Sequence, residues 1–249
     1  MLTDSKQNAV EIYNFTKFYG DFASCKNVNF TAKKGSITGI LGENGAGKTT
    51  LLKAICGLHY PSEGRILVCG SEDAAFFRKQ VGFVPETPEL PASFTVLETL
   101  FFSAKQSLAN FDKSESKEKI AEAIKECSLQ DVINLKVKQL SKGFKQRLSL
   151  ANALVKNPEV FILDEFSSGL DPAQMAKLRI LIKKIAKKKA VILSTHRIEE
   201  ANQLCDSIYI LKKGEIVASG SLSEILLQTK TKSLEKAFLL FSGENNENS

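Results

Sequence analysis

Residues Gly42 to Thr49 read Gly-Glu-Asn-Gly-Ala-Gly-Lys-Thr, which matches the pattern G-x-x-x-x-G-K-[ST] at every fixed position. They follow a short β-prone run, Ser36 to Leu41, and they open an apolar-periodic helix predicted from Lys48 to about Cys56. Glycines let such a turn aim successive backbone N–H groups at phosphate oxygens, and the helix N-terminus adds a partial positive charge. A glycine-rich turn with a chance Lys-Thr is the alternative, and the strand and helix around it disfavour that interpretation.

The lysine and the threonine of this turn have separate expected roles. Lys48 is expected to reach the β- and γ-phosphates of a nucleotide, and the Thr49 hydroxyl is expected to hold Mg²⁺. The residues predicted to bind the nucleotide here are Gly42, Glu43, Asn44, Gly45, Ala46, Gly47, Lys48, Thr49 and Thr50.

Two carboxylates end a second apolar run, Val160-Phe-Ile-Leu-Asp164-Glu165. In parallel α/β sheets, ligands gather at the carboxyl ends of the strands. Asp164 is therefore expected to hold the magnesium through a bridging water, and Glu165 to polarise a water that attacks the γ-phosphate. A surface turn explains Asp-Glu equally well when the run is taken alone. The combination with the glycine-rich turn favours a hydrolytic site.

A third segment, Leu140-Ser-Lys-Gly-Phe-Lys-Gln-Arg-Leu148, places Ser141 23 residues before Asp164. It resembles the signature of ATP-binding cassette (ABC) proteins, whose usual form is Leu-Ser-Gly-Gly-Gln. A Ser-x-Gly turn that opens a helix offers a hydroxyl and backbone N–H groups to a phosphate. The alternative is an ordinary helix with Ser141 as its N-cap. By the resemblance, Ser141 and Gly143 contact the ATP of a partner chain.

Further landmarks of the family follow in its usual order. Ser168-Gly-Leu-Asp171 is similar to the loop after the carboxylates, so Asp171 is also assigned to the partner's ATP. Ser194-Thr-His196 resembles the switch region, which implies that His196 contacts the γ-phosphate. Tyr19, in Lys-Phe-Tyr-Gly-Asp, matches the aromatic residue that stacks on adenine. A structural histidine and a half-buried strand-end tyrosine are the alternatives for these two positions. The resemblance runs from about Val10 to Ile225.

Four positions depart from the commonest family pattern. Glu86, in Gly-Phe-Val-Pro-Glu, replaces a glutamine that supplies an oxygen to Mg²⁺, and a carboxylate is also a good ligand for this ion. Its negative charge near the γ-phosphate bears on the hydrolysis rate and not on binding. Phe166 replaces a common proline, and Lys142 and Phe144 replace Gly and Gln in the signature. Three features together resemble the ABC-2-type branch, which pairs with small membrane subunits and mostly serves export. They are the Ser-Lys-Gly form, the Pro-Glu before the insert, and Phe94-Thr-Val-x-Glu-x-Leu.

The elements that must position these residues form an interrupted α/β pattern. Strands are predicted at Val10–Phe15, Val28–Ala32, Ser36–Leu41, Arg65–Val68, Val81–Val84, Val160–Leu163, Val191–Ser194 and Ile208–Leu211. Between them, helices are predicted at Thr95–Ser107, Glu115–Cys127 and Phe144–Val155, followed by a Lys-rich helix. The resemblance implies a P-loop NTPase (RecA-like) core with an antiparallel β subdomain and an inserted α-helical subdomain.

The expected organisation is a single nucleotide-binding domain over residues 1–241. Its core comprises 1–87 and 158–228, its helical insert 88–157, and its short C-terminal helix 232–241, with a flexible tail at 242–249. No apolar run approaches the roughly 20 residues that a membrane span needs, and no signal pattern is present. Five widely spaced cysteines without a C-x-x-C pair favour reduced thiols. The net charge of +6 suits anionic ligands or an acidic membrane surface.

The resemblance implies ATP and Mg²⁺ as cofactors and a second nucleotide-binding subunit, expected as a homodimer, as partner. It also implies integral-membrane transporter subunits, a peripheral location at the cytoplasmic face of the cell membrane, and no nucleic acid. Four alternatives are a ribosome-acting ABC ATPase, a DNA-repair relative, an unrelated P-loop kinase or GTPase, and a regulator that binds ATP but scarcely hydrolyses it. The single cassette disfavours the ribosome-acting ATPase, and the absence of sustained heptads between Lys48 and Ser141 disfavours the DNA-repair relative. The signature disfavours the unrelated kinase or GTPase, and Glu165 disfavours the regulator.

Overall fold

The computed structural model describes residues 7–107, 113–167 and 169–242, which form two β-sheets with helices around them. The strands are β1 (Asn8–Tyr19), β2 (Phe22–Lys33), β3 (Ser36–Leu41), β4 (Glu63–Val68), β5 (Val81–Val84), β6 (Val160–Asp164), β7 (Ala190–Thr195), β8 (Ser207–Lys212) and β9 (Glu215–Gly220). A three-stranded antiparallel sheet has the order β2-β1-β4. A six-stranded sheet has the order β5-β6-β7-β3-β8-β9, in which only the β8–β9 pair is antiparallel. The predicted α/β fold with an antiparallel β part is confirmed.

The helices lie between and after these strands. They are α1 (Lys48–Ile55), α2 (Ala74–Gln80), α3 (Val96–Ser107), α4 (Lys113–Glu126), α5 (Lys142–Val155), α6 (Pro172–Ala186), α7 (Ile198–Leu204), α8 (Leu222–Thr229) and α9 (Leu234–Ser242). Two short 3₁₀ helices, Gln130–Val132 and Val137–Gln139, connect α4 to α5. Within the described ranges, no helix combines the length and the apolar character that crossing a membrane requires.

The central sheet separates two hydrophobic cores. In β6, Phe161 and Leu163 face a core shared with α3, α4, α5 and α6, while Val160 and Ile162 face a core shared with α1 and the antiparallel sheet. This alternation follows from the period of two of a β-strand, and burial on both faces explains why the strand is continuously apolar. Strands β3, β6 and β7 are buried along their whole length.

The register of the central strands aligns the segments that carry the predicted site. Leu41, the last residue of β3, lies opposite Thr195 of β7, and Asp164 of β6 lies opposite Ser194 of β7. The turn after β3, the carboxylates after β6 and the switch region after β7 therefore meet at one edge of the sheet. This is the edge at which ligands bind in open α/β sheets.

Among the described strands and α-helices, four were not predicted from the sequence: α2, α7, α8 and β9; the two 3₁₀ helices were not predicted either. The predicted strands and helices were found, with ends that differ by a few residues and with β1 and β2 markedly longer. The C-terminal helix begins at Leu234. Of the tail predicted at 242–249, residues 243–249 lie outside the described part of the chain. The limits of the domain and of its helical insert stay predictions.

Candidate nucleotide-binding site

The glycine-rich turn joins β3 to α1 and has the backbone that the sequence predicts. Gly45 has φ +80°, and Gly47, at the N-cap of α1, has φ +106°. A side chain at Gly47 would also collide with the Ser24 carbonyl of β2, because a Cβ there would lie 2.5 Å from that oxygen. Only glycine meets both conditions. The turn therefore packs closely against β2 at Gly47.

Two β2 residues to which the sequence gave no role contact this turn and the start of α1. The Ser24 hydroxyl lies 2.8 Å from the Thr50 hydroxyl, and the Cys25 thiol donates to the Gly47 carbonyl at 3.6 Å. Burial raises the pKa of Cys25 to about 12, so the thiol stays protonated and remains a donor. No sequence motif marks these contacts, because they join segments more than twenty residues apart.

Lys48 is buried and its ammonium group is surrounded by oxygens. It donates to the carbonyls of Gly42 at 2.8 Å and Glu43 at 3.1 Å, and it lies 3.3 Å from Glu165 Oε1. Only 6% of its side chain is exposed. A buried ammonium needs such partners because its desolvation is costly. The geometry thus brings together Lys48 and Glu165, two residues that the sequence assigns separately to the γ-phosphate and to the attacking water.

Asp164, the last residue of β6, accepts from two neutral hydroxyls. Thr49 Oγ1 donates to Asp164 Oδ2 at 3.2 Å, and Ser194 Oγ donates to Asp164 Oδ1 through a short hydrogen bond. The first contact joins two of the predicted metal-binding residues. The second involves Ser194, a residue of the Ser-Thr-His motif to which the sequence analysis gave no role.

Glu165 and His196 are paired. Glu165 Oε2 lies 2.8 Å from His196 Nδ1, and the Glu165 N–H donates to the Ser194 hydroxyl at 3.2 Å. Glu165 has φ +45°, which is unusual for a residue with a side chain. The buried Glu165 carboxylate and the half-exposed His196 ring are therefore held in contact at the ends of neighbouring strands.

A cavity of about 190 Å³ lies in front of the turn. Its lining comprises Ser24, Asn44, Gly45, Gly47, Lys48, Thr49, Thr50, Glu86 and Glu165. Glu86, the residue in the place of the usual glutamine, thus shares a cavity with Lys48 and Thr49. Tyr19 lies elsewhere, at the end of β1, where its ring is 46% exposed and contacts His59.

The three residues assigned to a partner's ATP are not among those that line this cavity. Ser141 is the N-cap of α5 and accepts from Phe144 N at 3.4 Å, and Asp171 is the N-cap of α6 and accepts from Gln174 N at 2.8 Å. Gly143 is buried beside Gln174, where a Cβ would lie 2.8 Å from the amide oxygen. Ser141 therefore caps α5 in the structure. Its assignment to the ATP of a partner chain stays a prediction.

A parallel sheet, a glycine-rich turn at a helix N-terminus, and a lysine and two carboxylates at the same edge define a P-loop nucleoside triphosphatase. The family model described as ABC transporter matches residues 25–168. The chain therefore belongs to the ABC transporter family.

Individual relatives agree with this assignment. The chain is 36% identical over 219 residues to the Nod factor export ATP-binding protein I of Burkholderia orbicola, covering 85% of this chain and 70% of that protein. It is 38% identical over 216 residues to the uncharacterized ABC transporter ATP-binding protein YhcH of Bacillus subtilis, covering 85% and 69% of the two chains.

Solved structures of ABC transporter subunits have the same fold as this chain. A solved ATP-binding subunit of an ABC transporter superposes with TM-score 0.88 at 29% identity, covering 94% of this chain and 99% of that chain. The dimeric ATP-binding cassette MJ0796, in a post-hydrolysis state bound to ADP and Pi, superposes with TM-score 0.78 at 30% identity, covering 86% and 98%. The predicted ABC ATPase is confirmed: the chain is an ATP-binding and ATP-hydrolysing subunit of the ABC transporter family.

Proposed function

We propose that this chain powers export of a substrate through a separate integral-membrane subunit, as a peripheral subunit at the cytoplasmic face of the cell membrane. The observation that supports ATP hydrolysis as the source of power is the position of Glu165. Its carboxylate contacts both Lys48 and His196, and it lies beside the hydrogen-bonded pair of Thr49 and Asp164. The outward direction is supported by the Ser-Lys-Gly form of the signature and by similarity to a Nod factor export protein.

The turn from Gly42 to Thr50 is assigned to the phosphates of ATP, and Tyr19 to its adenine. Lys48 now bonds to carbonyl oxygens of its own turn, and these are contacts that phosphate oxygens can replace. Charge-assisted hydrogen bonds to phosphate are stronger than those to neutral carbonyls, so the exchange favours nucleotide binding.

The residues at the edge of the sheet fit Mg²⁺. Thr49 Oγ1 and Asp164 Oδ2 are hard oxygen donors 3.2 Å apart, and Glu86 lines the same cavity. Among the described residues, no group of three or more His, Cys, Asp or Glu side chains could hold a metal by itself. This suits Mg²⁺, which typically binds one or two protein carboxylates together with substrate phosphates and water. When bound, the ion neutralises charge that develops on the phosphates. We assign Thr49, Asp164 and Glu86 to it.

Glu165 is assigned as the general base. The oxygen of a water attacks the γ-phosphorus, the bond from that phosphorus to the β–γ bridging oxygen breaks, and the proton of the water passes to the Glu165 carboxylate. The products are ADP and phosphate. The pairing with His196 at 2.8 Å orients the carboxylate, and it supports the assignment of His196 to the γ-phosphate.

Two chains are proposed to act together, as a homodimer. Ser141, Gly143 and Asp171 lie outside the cavity of their own chain, which supports their assignment to the ATP of a partner. Closure around ATP and separation after hydrolysis then move the insert 88–157, which passes the movement to the membrane subunit.

The Glu165→Gln substitution tests the proposed function. Steady-state turnover should fall about 10²–10⁴-fold, the usual contribution of a general base, because an amide cannot accept the proton. ATP binding, measured by calorimetry, should persist, and the chain should accumulate as an ATP-bound dimer in size-exclusion chromatography.

The matched control is Glu200→Gln, because Glu200 is an equally buried carboxylate on α7 that does not line the cavity. This variant should turn over ATP at the wild-type rate. Unchanged turnover in Glu165→Gln would remove Glu165 as base. A wild-type chain that binds ATP without measurable turnover, even with its membrane subunit present, would instead favour the regulator.

A further inference from the structure

The ring of Tyr19 is contacted by two residues that have no role in the site so far. His59 meets it edge to face, with ring centroids 5.9 Å apart and an interplanar angle of 84°. Lys17 places its ammonium group 5.6 Å from the centroid of the same ring. Both distances fall within the ranges of stabilising aromatic and cation–π contacts.

These contacts tie the end of β1 to the segment that follows α1. The Lys17 ammonium donates to the Tyr60 carbonyl at 2.9 Å, next in sequence to His59. Two links, one through each neighbour of the ring, therefore join Tyr19 to His59 and Tyr60 in the segment after α1. Part of the ring still faces solvent, so a base can stack on it.

The imidazole meets Tyr19 as a neutral ring at pH 7. Burial, and then the ammonium groups of Lys53 and Lys17, lower the pKa of His59 below its ordinary value of 6.5. A neutral ring next to Lys17 adds no charge repulsion, so the edge-to-face contact and the cation–π contact coexist.

We propose that His59 and Lys17 are positioning residues for the base of the nucleotide, acting through Tyr19. The inference rests on the proposed function, which assigns Tyr19 to adenine. A free tyrosine loses side-chain freedom when a base stacks on it, whereas a ring that is already held loses less, so binding is tighter. Stacking depends on the aromatic face of a base and not on its edge. His59 and Lys17 should thus favour ATP and GTP alike and should not affect a ligand without a base.

The test compares three ligands on the full chain: MgATP, MgGTP and inorganic triphosphate, the last measured as an inhibitor of ATP turnover. His59→Ala should raise the Kd for ATP and for GTP by roughly two- to tenfold, the factor that corresponds to the free energy of one aromatic pair. Tyr19→Ala should raise both by roughly 5- to 150-fold, the range for loss of a stacked base. Lys17→Met should weaken ATP and GTP in equal proportion. Inhibition by triphosphate should not change in any of them.

Two further variants separate positioning from general damage. His59→Phe keeps an aromatic edge and should restore wild-type affinity. Tyr60→Ala removes a neighbouring, 69% exposed ring but keeps the carbonyl that Lys17 contacts, and it should bind as the wild type does. In the double variant, His59→Ala should have no further effect once Tyr19 is alanine, because it acts through that ring.

The outcomes distinguish this inference from the function on which it rests. If Tyr19→Ala weakens ATP binding and His59→Ala does not, the positioning role of His59 is wrong and the assignment of Tyr19 stands. If Tyr19→Ala leaves ATP binding unchanged, both are wrong. Equal losses for triphosphate and ATP in His59→Ala would also overturn the inference, because they would indicate a disturbed phosphate site.

Discussion

Asp164 and Glu165 are adjacent in sequence, yet their partners differ in kind. Asp164 accepts from the neutral hydroxyls of Thr49 and Ser194, whereas Glu165 is paired with Lys48 and His196. A carboxylate held by hydroxyls keeps its full charge for a cation, and a carboxylate between two basic side chains is oriented for proton transfer. The environments thus match the two roles proposed for these residues, and Ser194, through its contacts with both, is the residue that couples them.

Ser194→Ala is predicted to damage the site through Asp164. Loss of the hydroxyl leaves a buried carboxylate oxygen without its partner, which costs about 1–3 kcal/mol of unfolding free energy. The apparent affinity for Mg²⁺ in the turnover assay should fall as well, because Asp164 is then oriented only by its hydrogen bond from Thr49. Chemical denaturation and a magnesium titration of ATP turnover measure the two effects.

Ser207→Ala is the control for this prediction. Ser207 begins β8 of the same sheet, and its hydroxyl donates to the neutral Thr38 hydroxyl at 3.3 Å, outside the cavity. It should change stability less and leave the magnesium dependence as it is. Equal magnesium titrations for Ser194→Ala and the wild type would contradict the role given to Ser194.

At the scale of elements, the sequence predicts what is long or strongly patterned. The apolar runs of β3 and β6 and the helical period of α5 come directly from burial and were found where expected. Helices α2 and α7 have seven residues each, which is too short for an apolar period to stand out.

The same limit applies to the site. The turn, the carboxylates and His196 are recognisable because each is local in sequence. Ser24, Cys25 and His59 are not, because their roles arise from contacts between segments that the fold brings together.

Glu159 links three neighbouring segments at the start of the central strands, and its pairing predicts a pH-dependent stability. Lys34 lies 2.7 Å and Lys189 2.6 Å from its carboxylate oxygens. Hydrogen bonds from Lys189 and Lys34 lower the pKa of Glu159 below its ordinary value of 4.5. The stabilisation is therefore present above pH 4.5 and is lost as the pH falls through the lowered pKa.

Glu159→Gln should lower the unfolding free energy at pH 7 by about 1 kcal/mol, a value kept small because solvent screens these partly exposed pairs. The difference from the wild type should shrink as the pH is brought below 4.5, as followed by denaturation at several pH values. Glu215→Gln breaks a single exposed pair with Lys26 and should have little effect at any pH. A difference that persists unchanged in acid would show that the ion pairs are not its cause.

At the scale of the whole molecule, the proposed ATP site is shared between two chains. The cavity of about 190 Å³ is lined by Ser24, the turn, Glu86 and Glu165, while Ser141 and Gly143 of the signature lie outside it. The motifs along the chain predict all of these residues except Ser24. They do not predict how two copies meet, because that depends on surface complementarity and not on local pattern. The proposed dimer resolves this by bringing the signature of one copy to the ATP of the other.

Ser141→Arg is predicted to abolish cooperative ATP turnover and to leave ATP binding intact. In the proposed dimer, the phosphate of the partner's ATP must approach residue 141 closely, so a large side chain there overpacks the interface. The usual cost of overpacking, about 1–3 kcal/mol, corresponds to a dissociation constant of the dimer that is higher by roughly 5- to 150-fold. ATP should still bind to the monomer, because Ser141 does not line the cavity of its own chain. The dependence of turnover on ATP should lose its cooperativity, and the dimer trapped by Glu165→Gln should disappear when both substitutions are present.

The arginine also removes the N-cap of α5, so loss of helix stability must be separated from loss of the interface. Ser141→Thr keeps a capping hydroxyl and should retain cooperativity. Ser221→Arg removes the cap of α8, where Ser221 accepts from Glu224 N, and it should lower the melting temperature without affecting cooperativity. If Ser141→Arg still hydrolyses ATP cooperatively, a site shared across two chains is contradicted. The same holds if Ser221→Arg also loses its cooperativity. The contrast between the two arginine variants therefore decides whether Ser141 acts only as a helix cap or also as part of the partner's ATP site.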